Sequence, residues 1–598
     1  RYRPFPCGHL VAAGVPDPPQ KGEGELEPRE GELSKARSGN TGRPQPQRAL
    51  AGKRNLRKLL RLGIWSRQAY VRSLENVQRF LHSREPSLWL VALLIGGAIG
   101  AAAVAFRRGI DAFQWLWLGV TTERIIAFVS AQPWWVVLAA PTAGGLVVGL
   151  MNQFVLTGKR PAGVADVIEA SARGGAGLTL RQGLWSALAT AISLGSGASA
   201  GREGPVIHLG GTLSSALTRV MKLPPKAGRV VLACGVASAI SASFNAPIAG
   251  VLFAHEVVLR HYAVSAFVPI VIASAAGTLA GRYFIGDVAA FQIPSYAIGS
   301  YWEMPAFALL GVVAAGVAIL FQFALIGFDQ SARAIIMPPW LRPVIGGLVV
   351  GCIGIFVPEI LGVGYEATDI ALHGGFAFGT MVLLLFVKIL ATAITLASRF
   401  GGGIFTPALY LGAMTGGAFG VVAALGFPDM ASDRGLYAIL GMGAVAGALL
   451  GAPVSTTVIV FELTGGYALS IALLLTVSIA TGLHLVVHGR SYFHYQLETR
   501  GVVLADGPHR FFLKTVPVAS FMAAAEGGGG LTDAQQGRTI RSADTLETAL
   551  RMFNETGADV LVVVDPKDRN SVVGSVSHVQ ALRTYNRRLV ETSEEEHR

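Results

Sequence analysis

Leu188-Ala-Thr-Ala-Ile-Ser-Leu194 and Leu390-Ala-Thr-Ala-Ile-Thr-Leu396 are one heptapeptide written twice, 202 positions apart, with a single Ser/Thr exchange. The same shift carries Ser196 onto Ser398, Gly201 onto Gly403, Pro205 onto Pro407, Leu209 onto Leu411 and Gly210 onto Gly412. Further on, Ala246-Pro247 with Glu256 ten residues after the alanine matches Ala452-Pro453 with Glu462 at the same spacing. So many matches in one register mark a duplicated unit, and they place a substrate where the two copies meet.

The text around the repeat says what kind of unit it is. Of 598 residues, 52% are hydrophobic and only 14% charged, and the mean hydropathy is +0.50; a soluble domain carries about 25% charged residues. That balance excludes a water-soluble enzyme. Between about Leu88 and Val487 the chain consists of apolar stretches near 87–106, 111–130, 134–155, 184–194, 206–221, 228–243, 247–284, 305–327, 343–361, 379–396, 407–425, 436–449, 453–464 and 467–487. A spanning helix needs about 20 apolar residues, and several of these are shorter. Short segments interrupted by Gly or Pro at corresponding places in two halves point to broken helices around a buried site. The expected fold is an all-α polytopic membrane protein, spanning 87–500, with repeats at about 87–290 and 300–490.

Residues 1–90 hold 17 Lys and Arg against 8 Asp and Glu, so +9 of the net +12 lies at this end. The basic excess is local, and no nucleic-acid partner is expected. Residues 1–55 are rich in Pro, Gly, Glu and Arg and read as a disordered arm; no secretory signal is expected there. Residues 56–86 read as a basic amphipathic helix at a membrane surface, with Leu56, Leu59, Leu60, Ile64 and Trp65 among Arg57, Lys58, Arg61 and Arg67. Arg490, Arg500, Arg510 and Lys514 return after the last span, which predicts both termini in the cytoplasm and a plasma or bacterial inner membrane. Cys7, Cys234 and Cys352 have no metal-ligand spacing, so neither a metal nor a disulfide framework is expected.

Gly201-Arg-Glu-Gly-Pro205 and Gly403-Ile-Phe-Thr-Pro407 are the chemical centre of the duplication. Each is a Gly-opened turn with Pro suited to the first turn of an apolar helix. The first amides of a helix have no partner within it and, with the helix dipole, attract an anion. Two such ends brought together make an anion site without a buried Lys or Arg. Glu203 stands among the same amides, although a carboxylate in the membrane is costly unless paired or functional. It can take the anion's place when ionised and leave it when protonated, which makes it a gate and a proton acceptor.

These motifs resemble the CLC family of chloride channels and proton/chloride exchangers. Gly195-Ser-Gly197, Gly201–Pro205, Ala246–Phe253 with Glu256, Gly402–Pro407 and Gly451-Ala-Pro453 carry the resemblance in the family's order. It implies inverted repeats, a homodimer embedded in lipid with one pore per subunit, and chloride or other small anions as cargo, with protons in the exchangers. Glu203 matches the gating glutamate, the amides of Ile404 and Phe405 match those holding the central anion, and Gly201, Arg202 and Gly204 fall at the outer site. Three positions depart from the pattern. Ala162 stands where a serine hydroxyl would touch the central anion, and Phe493 where a tyrosine hydroxyl would, with Tyr492 one residue away. Losing two donors weakens that site by about 1 to 3 kcal/mol. Val257 replaces the inner proton-transfer glutamate, with His255 as the candidate substitute. On these grounds we expect a passive chloride channel gated by Glu203, the alternative being a proton/chloride antiporter that uses Glu203 as proton acceptor. Glu256 and Glu462 are expected to be structural. Arg399, in place of the glycine matching Gly197, either adds positive potential to an inner vestibule or snorkels to the cytoplasmic face.

The tail, 513–591, reads as a compact α/β unit. Asp544-Thr-Leu-Glu547 has a capping-box pattern before a helix at 545–555, Gly557 ends that helix, and strands are expected at 559–565 and 571–575 before a helix at 579–591. Glu526-Gly-Gly-Gly-Gly530 is a flexible connection. The unit resembles a CBS domain, with Val516–Met522 as its opening strand. Where such modules bind an adenine nucleotide an aspartate meets the ribose, and Gln580 stands in that place; no cofactor is expected, the alternative being an adenine nucleotide held by this unit without that aspartate. A different class of reading is a membrane serine hydrolase, since Gly197-Ala-Ser199-Ala-Gly201 fits Gly-x-Ser-x-Gly and His208 and His255 lie in the membrane. The repeat copy, Arg399-Phe-Gly-Gly-Gly403, has no serine, so the protein is not expected to be an enzyme.

Overall fold

The computed structural model describes residues 70–79, 81–82, 85–119, 125–173, 177–287, 291, 298–464, 469–502, 513, 516–524, 539–566, 568 and 571–597. The arm 1–55, the basic segment as far as residue 69 and the Gly-rich connection at 526–530 lie outside them. The chain divides into two compact units, Arg1–Arg79 and Phe80–Arg598. In the first, the described residues 70–79 are helical.

The second unit holds eight helices that are long and apolar enough to cross a membrane among the described residues, and shorter apolar helices such as Pro247–Leu259, Arg434–Leu450 and Pro453–Thr464 are interleaved with them. The chain is an integral multi-pass membrane protein. Its long helices carry apolar side chains outward as well as inward: Leu93, Leu309, Leu383 and Leu474 are all about half exposed. In water such a surface would aggregate, whereas in lipid it is solvated.

The helix boundaries correct the apolar reading in two places. The stretch at 87–106 and the first part of that at 111–130 belong to one 34-residue helix, Glu85–Leu118, which runs through Arg107, Arg108 and Asp111, and a separate short helix, Ile126–Ala131, follows; charged side chains do not by themselves break a helix's backbone hydrogen bonding. Conversely, 247–284 is two segments. Pro247–Phe253 continues as a π turn, Ala254–Leu259, that ends at Arg260 with φ 63°, and a separate helix, Val264–Ile285, follows.

The duplication is visible in packing. Helix Trp134–Phe154 and its mate Leu341–Phe356 lie against each other through Gly145 and Gly347, 202 residues apart. A β-carbon on Gly145 would lie 2.3 Å from the carbonyl oxygen of Pro343, and one on Gly347 would lie 2.1 Å from that of Pro141. Each repeat therefore supplies the glycine on which the other's backbone rests, the small-residue contact by which helices approach closely in membranes.

A second exchange ties the repeats by charge. Glu256 accepts from the backbone N–H of Val454 at 3.1 Å and Ser455 at 2.8 Å, and from the Ser455 hydroxyl, at the start of helix Pro453–Thr464. Glu462 accepts from Ile248 and Ala249 N–H at 3.0 and 2.7 Å, at the start of helix Pro247–Phe253. Each glutamate caps the other repeat's helix, and a carboxylate at a helix amino end is favoured by the dipole.

The tail is a four-stranded sheet in the order β1-β4-β3-β2, with β1 Ala523–Ala524, β2 Thr539–Arg541, β3 Val560–Val564 and β4 Val572–Ser577. Helices Leu546–Thr556 and His578–His597 accompany it. β2 runs parallel to β3, and the other pairs are antiparallel. Val563, Leu561 and Val576 meet Leu546, Ala549 and Phe553 in a separate core. Two details differ from expectation. Val516–Met522 is no strand: Pro517 makes only an isolated antiparallel bridge with Thr545, Val518–Ser520 is a 3-10 turn, and the sheet strand begins at Ala523. The helix cap is Thr545, whose hydroxyl accepts from Thr548 N–H, while Asp544 turns back to Arg541 N–H.

Candidate functional site: a carboxylate at two helix ends

Gly201 and Gly403 exchange both backbone hydrogen bonds, at 2.8 and 2.7 Å, as an isolated antiparallel bridge. That bridge sets the amino ends of helices Glu203–Val220 and Phe405–Gly426 side by side, with Arg202 and Ile404 as their caps. The duplicated Gly-opened turns therefore meet, and Gly201, Arg202, Gly204, Ile404 and Phe405 are brought into one place.

Glu203 is buried at this junction, 1% exposed. Its Oε2 accepts from the hydroxyl of Thr406, in the first turn of the second repeat's helix. Its Oε1 accepts from the phenol of Tyr365 at 2.6 Å and lies 3.7 Å from Arg202 Nε. The Arg202 guanidinium covers the Tyr365 ring at 4.6 Å. The carboxylate of one repeat thus sits at the helix end of the other, where amide dipoles favour negative charge.

On one side of this junction lies a cavity of about 560 Å³ lined by Ala162, Ile404 and Phe493, which the structure brings together, and also by Tyr492. Glu203 does not line it, so the carboxylate stands beyond the cavity's end. Ala162 and Phe493 present no hydroxyl there; the Ala162 N–H donates to Ser186 Oγ. The Phe405 ring packs into the core against Phe244 and Phe253, with centroids 5.2 and 6.2 Å away.

The cavity is electropositive. Lys159, Arg160, Arg333, Arg342, Arg399 and Arg500 line it against Asp166 and Asp329. Arg160 and Arg500 bond Asp166 at 2.7 and 3.0 Å, and Arg399 pairs with Asp329 at 3.0 Å. Asp166 lies outside the eight spanning helices. Burial alone would raise its carboxyl, but the hydrogen bond and charge of Arg160 and the charge of Arg500 hold it well below the usual carboxylate range. Four cations remain in excess, and a walled positive cavity concentrates anions. Arg399 contributes there while holding φ 67° in the place matching Gly197 at φ 98°.

Val257 and His255 do not reach this cavity. Both are buried in the Ala254–Leu259 turn, where His255 Nδ1 meets the His261 carbonyl at 3.0 Å and its ring stacks on Tyr262. The hydrolase reading has no geometry behind it: the Ser199 hydroxyl faces Thr392 at 3.4 Å, not a histidine.

Three residues of the site were not singled out from the sequence. Thr406 lies inside the quoted second motif but gives no signal beyond a small hydroxyl. Tyr365 lies in no motif. Lys388, fully buried in helix Phe378–Ala397, donates to the carbonyls of Ile360 and Gly362 at 2.9 and 3.2 Å; a lone lysine in an apolar span was the available signal.

Compared with known proteins, residues 144–484 match the voltage gated chloride channel family. The chain is 36% identical over 390 residues to a putative chloride channel protein ClcB-like of Ralstonia nicotianae, covering 64% of this chain and 90% of the relative. It is 28% identical over 443 residues to an H(+)/Cl(-) exchange transporter ClcA of Yersinia pestis, covering 70% and 90%. Among solved structures, a slow cyanobacterial Cl-/H+ antiporter superposes with a TM-score of 0.63 at 21% identity, covering 70% of this chain and 98% of that one, and a eukaryotic CLC transporter with 0.60 at 17%, covering 82% and 97%. The last two establish the fold; the match over more than half the chain and the first relative establish descent, and the protein belongs to the CLC family of voltage gated chloride channels.

Proposed function

We propose that the protein exchanges chloride for protons across the membrane, with Glu203 as both the proton acceptor and the group that alternates with chloride at the paired helix ends. The observation that carries this reading is the Glu203 carboxylate itself, buried and held across the repeat boundary by Thr406 and Tyr365. A fixed anion at a site built for anions competes with the mobile one, and protonation removes its charge and weakens its hold. The positive cavity behind it supplies chloride. Two relatives of this chain, one by sequence and one by fold, are named for proton/chloride antiport, which favours exchange over the passive conduction expected from the sequence. Passive conduction is the second reading, favoured by the absence of a carboxylate at Val257 and of hydroxyls at Ala162 and Phe493.

With this reading goes a homodimer in lipid, both termini cytoplasmic, and a CBS-like tail that serves gating or assembly, at which Gln580, in place of the ribose-binding aspartate, weakens an adenine-nucleotide site. The deciding experiment is chloride efflux from liposomes with pH followed on both sides, for the natural chain and for Glu203→Ala. Uphill proton movement at a fixed ratio to chloride, lost in Glu203→Ala, is the expected result. Chloride flux without proton movement in the natural chain would overturn exchange in favour of conduction.

A further inference from the structure

Glu203 is held by more than helix ends, and the additional holder comes from a segment outside the duplicated motifs. Tyr365 opens helix Tyr365–Leu372 and points its phenol at Oε1. The ring is fixed on two sides, by the Arg202 guanidinium at 4.6 Å and by Phe291 with centroids 5.0 Å apart. The loop leading into it is fixed by Lys388. Its Nζ donates to the Ile360 and Gly362 carbonyls and lies 5.1 Å from the centre of the Tyr410 ring. A β-carbon on Gly364 would come within 3.3 Å of that nitrogen, so the ammonium abuts the residue just before Tyr365. Gly362 N–H also donates to the Gly197 carbonyl at 3.1 Å, joining the loop to the first repeat. A buried ammonium in a span is costly, and this one faces carbonyls and a ring.

We propose that Tyr365 is a phenolic latch on the gate carboxylate and that Lys388 is the positioning residue that sets the latch. The phenol is a charge-assisted donor to the carboxylate and a weaker one to the protonated acid. It therefore stabilises the closed gate against chloride and lets go when Glu203 takes up a proton. The inference rests on the exchange reading only in taking Glu203 as the group that moves.

The test measures chloride flux against chloride concentration in liposomes, with proton movement recorded, for Tyr365→Phe and Lys388→Met alone and combined with Glu203→Ala. In Tyr365→Phe the half-saturating chloride concentration falls about tenfold, the size of one hydrogen bond to a charged group, without a matching loss of maximal rate. Lys388→Met shifts it the same way, by about threefold on the same scale. In the Glu203→Ala background neither substitution shifts it, because no carboxylate remains to be held. An unchanged half-saturation in Tyr365→Phe overturns the latch, as does a shift that persists without Glu203. If Lys388→Met gives no monodisperse protein, the Tyr365→Phe pair decides alone. Absent proton movement in the natural chain would overturn the exchange reading while leaving the chloride shifts to judge the latch.

Discussion

In the first repeat the turn at Gly201 leads into Glu203; 202 residues on, the turn at Gly403 leads into Phe405, whose ring is buried against Phe244 and Phe253. The backbones of the two turns pair with each other, yet only one carries a carboxylate. The same division recurs around them. Gly204 matches Thr406, which supplies a hydroxyl to Glu203; Ser186, whose hydroxyl accepts from Ala162 N–H, matches Lys388; Gly197 matches Arg399 in the cavity wall. What is duplicated is the framework of crossing helices and amino ends, which must be symmetric to close. What differs is the handful of side chains that put a buried carboxylate on one face of the junction and its hydroxyl partner on the other.

That comparison breaks most visibly at the gate. Glu203→Ala should abolish proton coupling while chloride still flows, whereas Phe405→Leu, at the matching position, should keep coupling; both are read as proton and chloride flux in the same vesicles. Loss of coupling in both would mean that the junction acts as a whole and not through one carboxylate. Next come the shared glycines. Gly145→Leu and Gly347→Leu should each cost about 3 kcal/mol or more, since the added side chain meets backbone that cannot yield, and the two should be alike in thermal unfolding of the detergent-solubilised protein. A large difference between them would show that the framework is less symmetric than its glycines.

The reciprocal caps give a smaller test. Glu256→Gln and Glu462→Gln should each destabilise by about 1 kcal/mol, with Glu256→Gln the larger because Glu256 also accepts from the Ser455 hydroxyl. Equal losses would assign the effect to the amides alone. The smallest effect is expected at the cavity wall. Arg399→Gln should slow chloride flux by about twofold at low ionic strength and less at high, as screening replaces the lost charge. A salt-independent loss would point instead to the left-handed backbone at that position.

Much of this was legible because a repeated heptapeptide and two Gly-opened turns are local features. Periodicity, length and the absence of charge declare a membrane fold, and an acidic residue at a helix start inside an apolar region marks itself as a candidate functional group through its cost. The duplication even located the junction, since equal segments of a two-fold framework meet near its axis. The segment boundaries were less legible: the break at Arg260 is a left-handed residue closing a π turn, which composition does not reveal, and the helix Glu85–Leu118 continues through Arg107, Arg108 and Asp111, where the apolar pattern is interrupted.

By itself, then, the sequence determined the class of fold, the two halves, the anion-attracting helix ends and Glu203 as the group of interest, all of which follow from hydrophobicity, spacing and the unpaired amides of a helix. Only the tertiary structure decided what holds that carboxylate. Tyr365 lies 162 residues from it and Lys388 touches the intervening loop, and no local pattern ties such distant positions together. Their partnership exists because two repeats packed through glycines bring a phenol, a hydroxyl and a guanidinium around one buried oxygen pair, where low polarity makes each hydrogen bond count for more than it would in water.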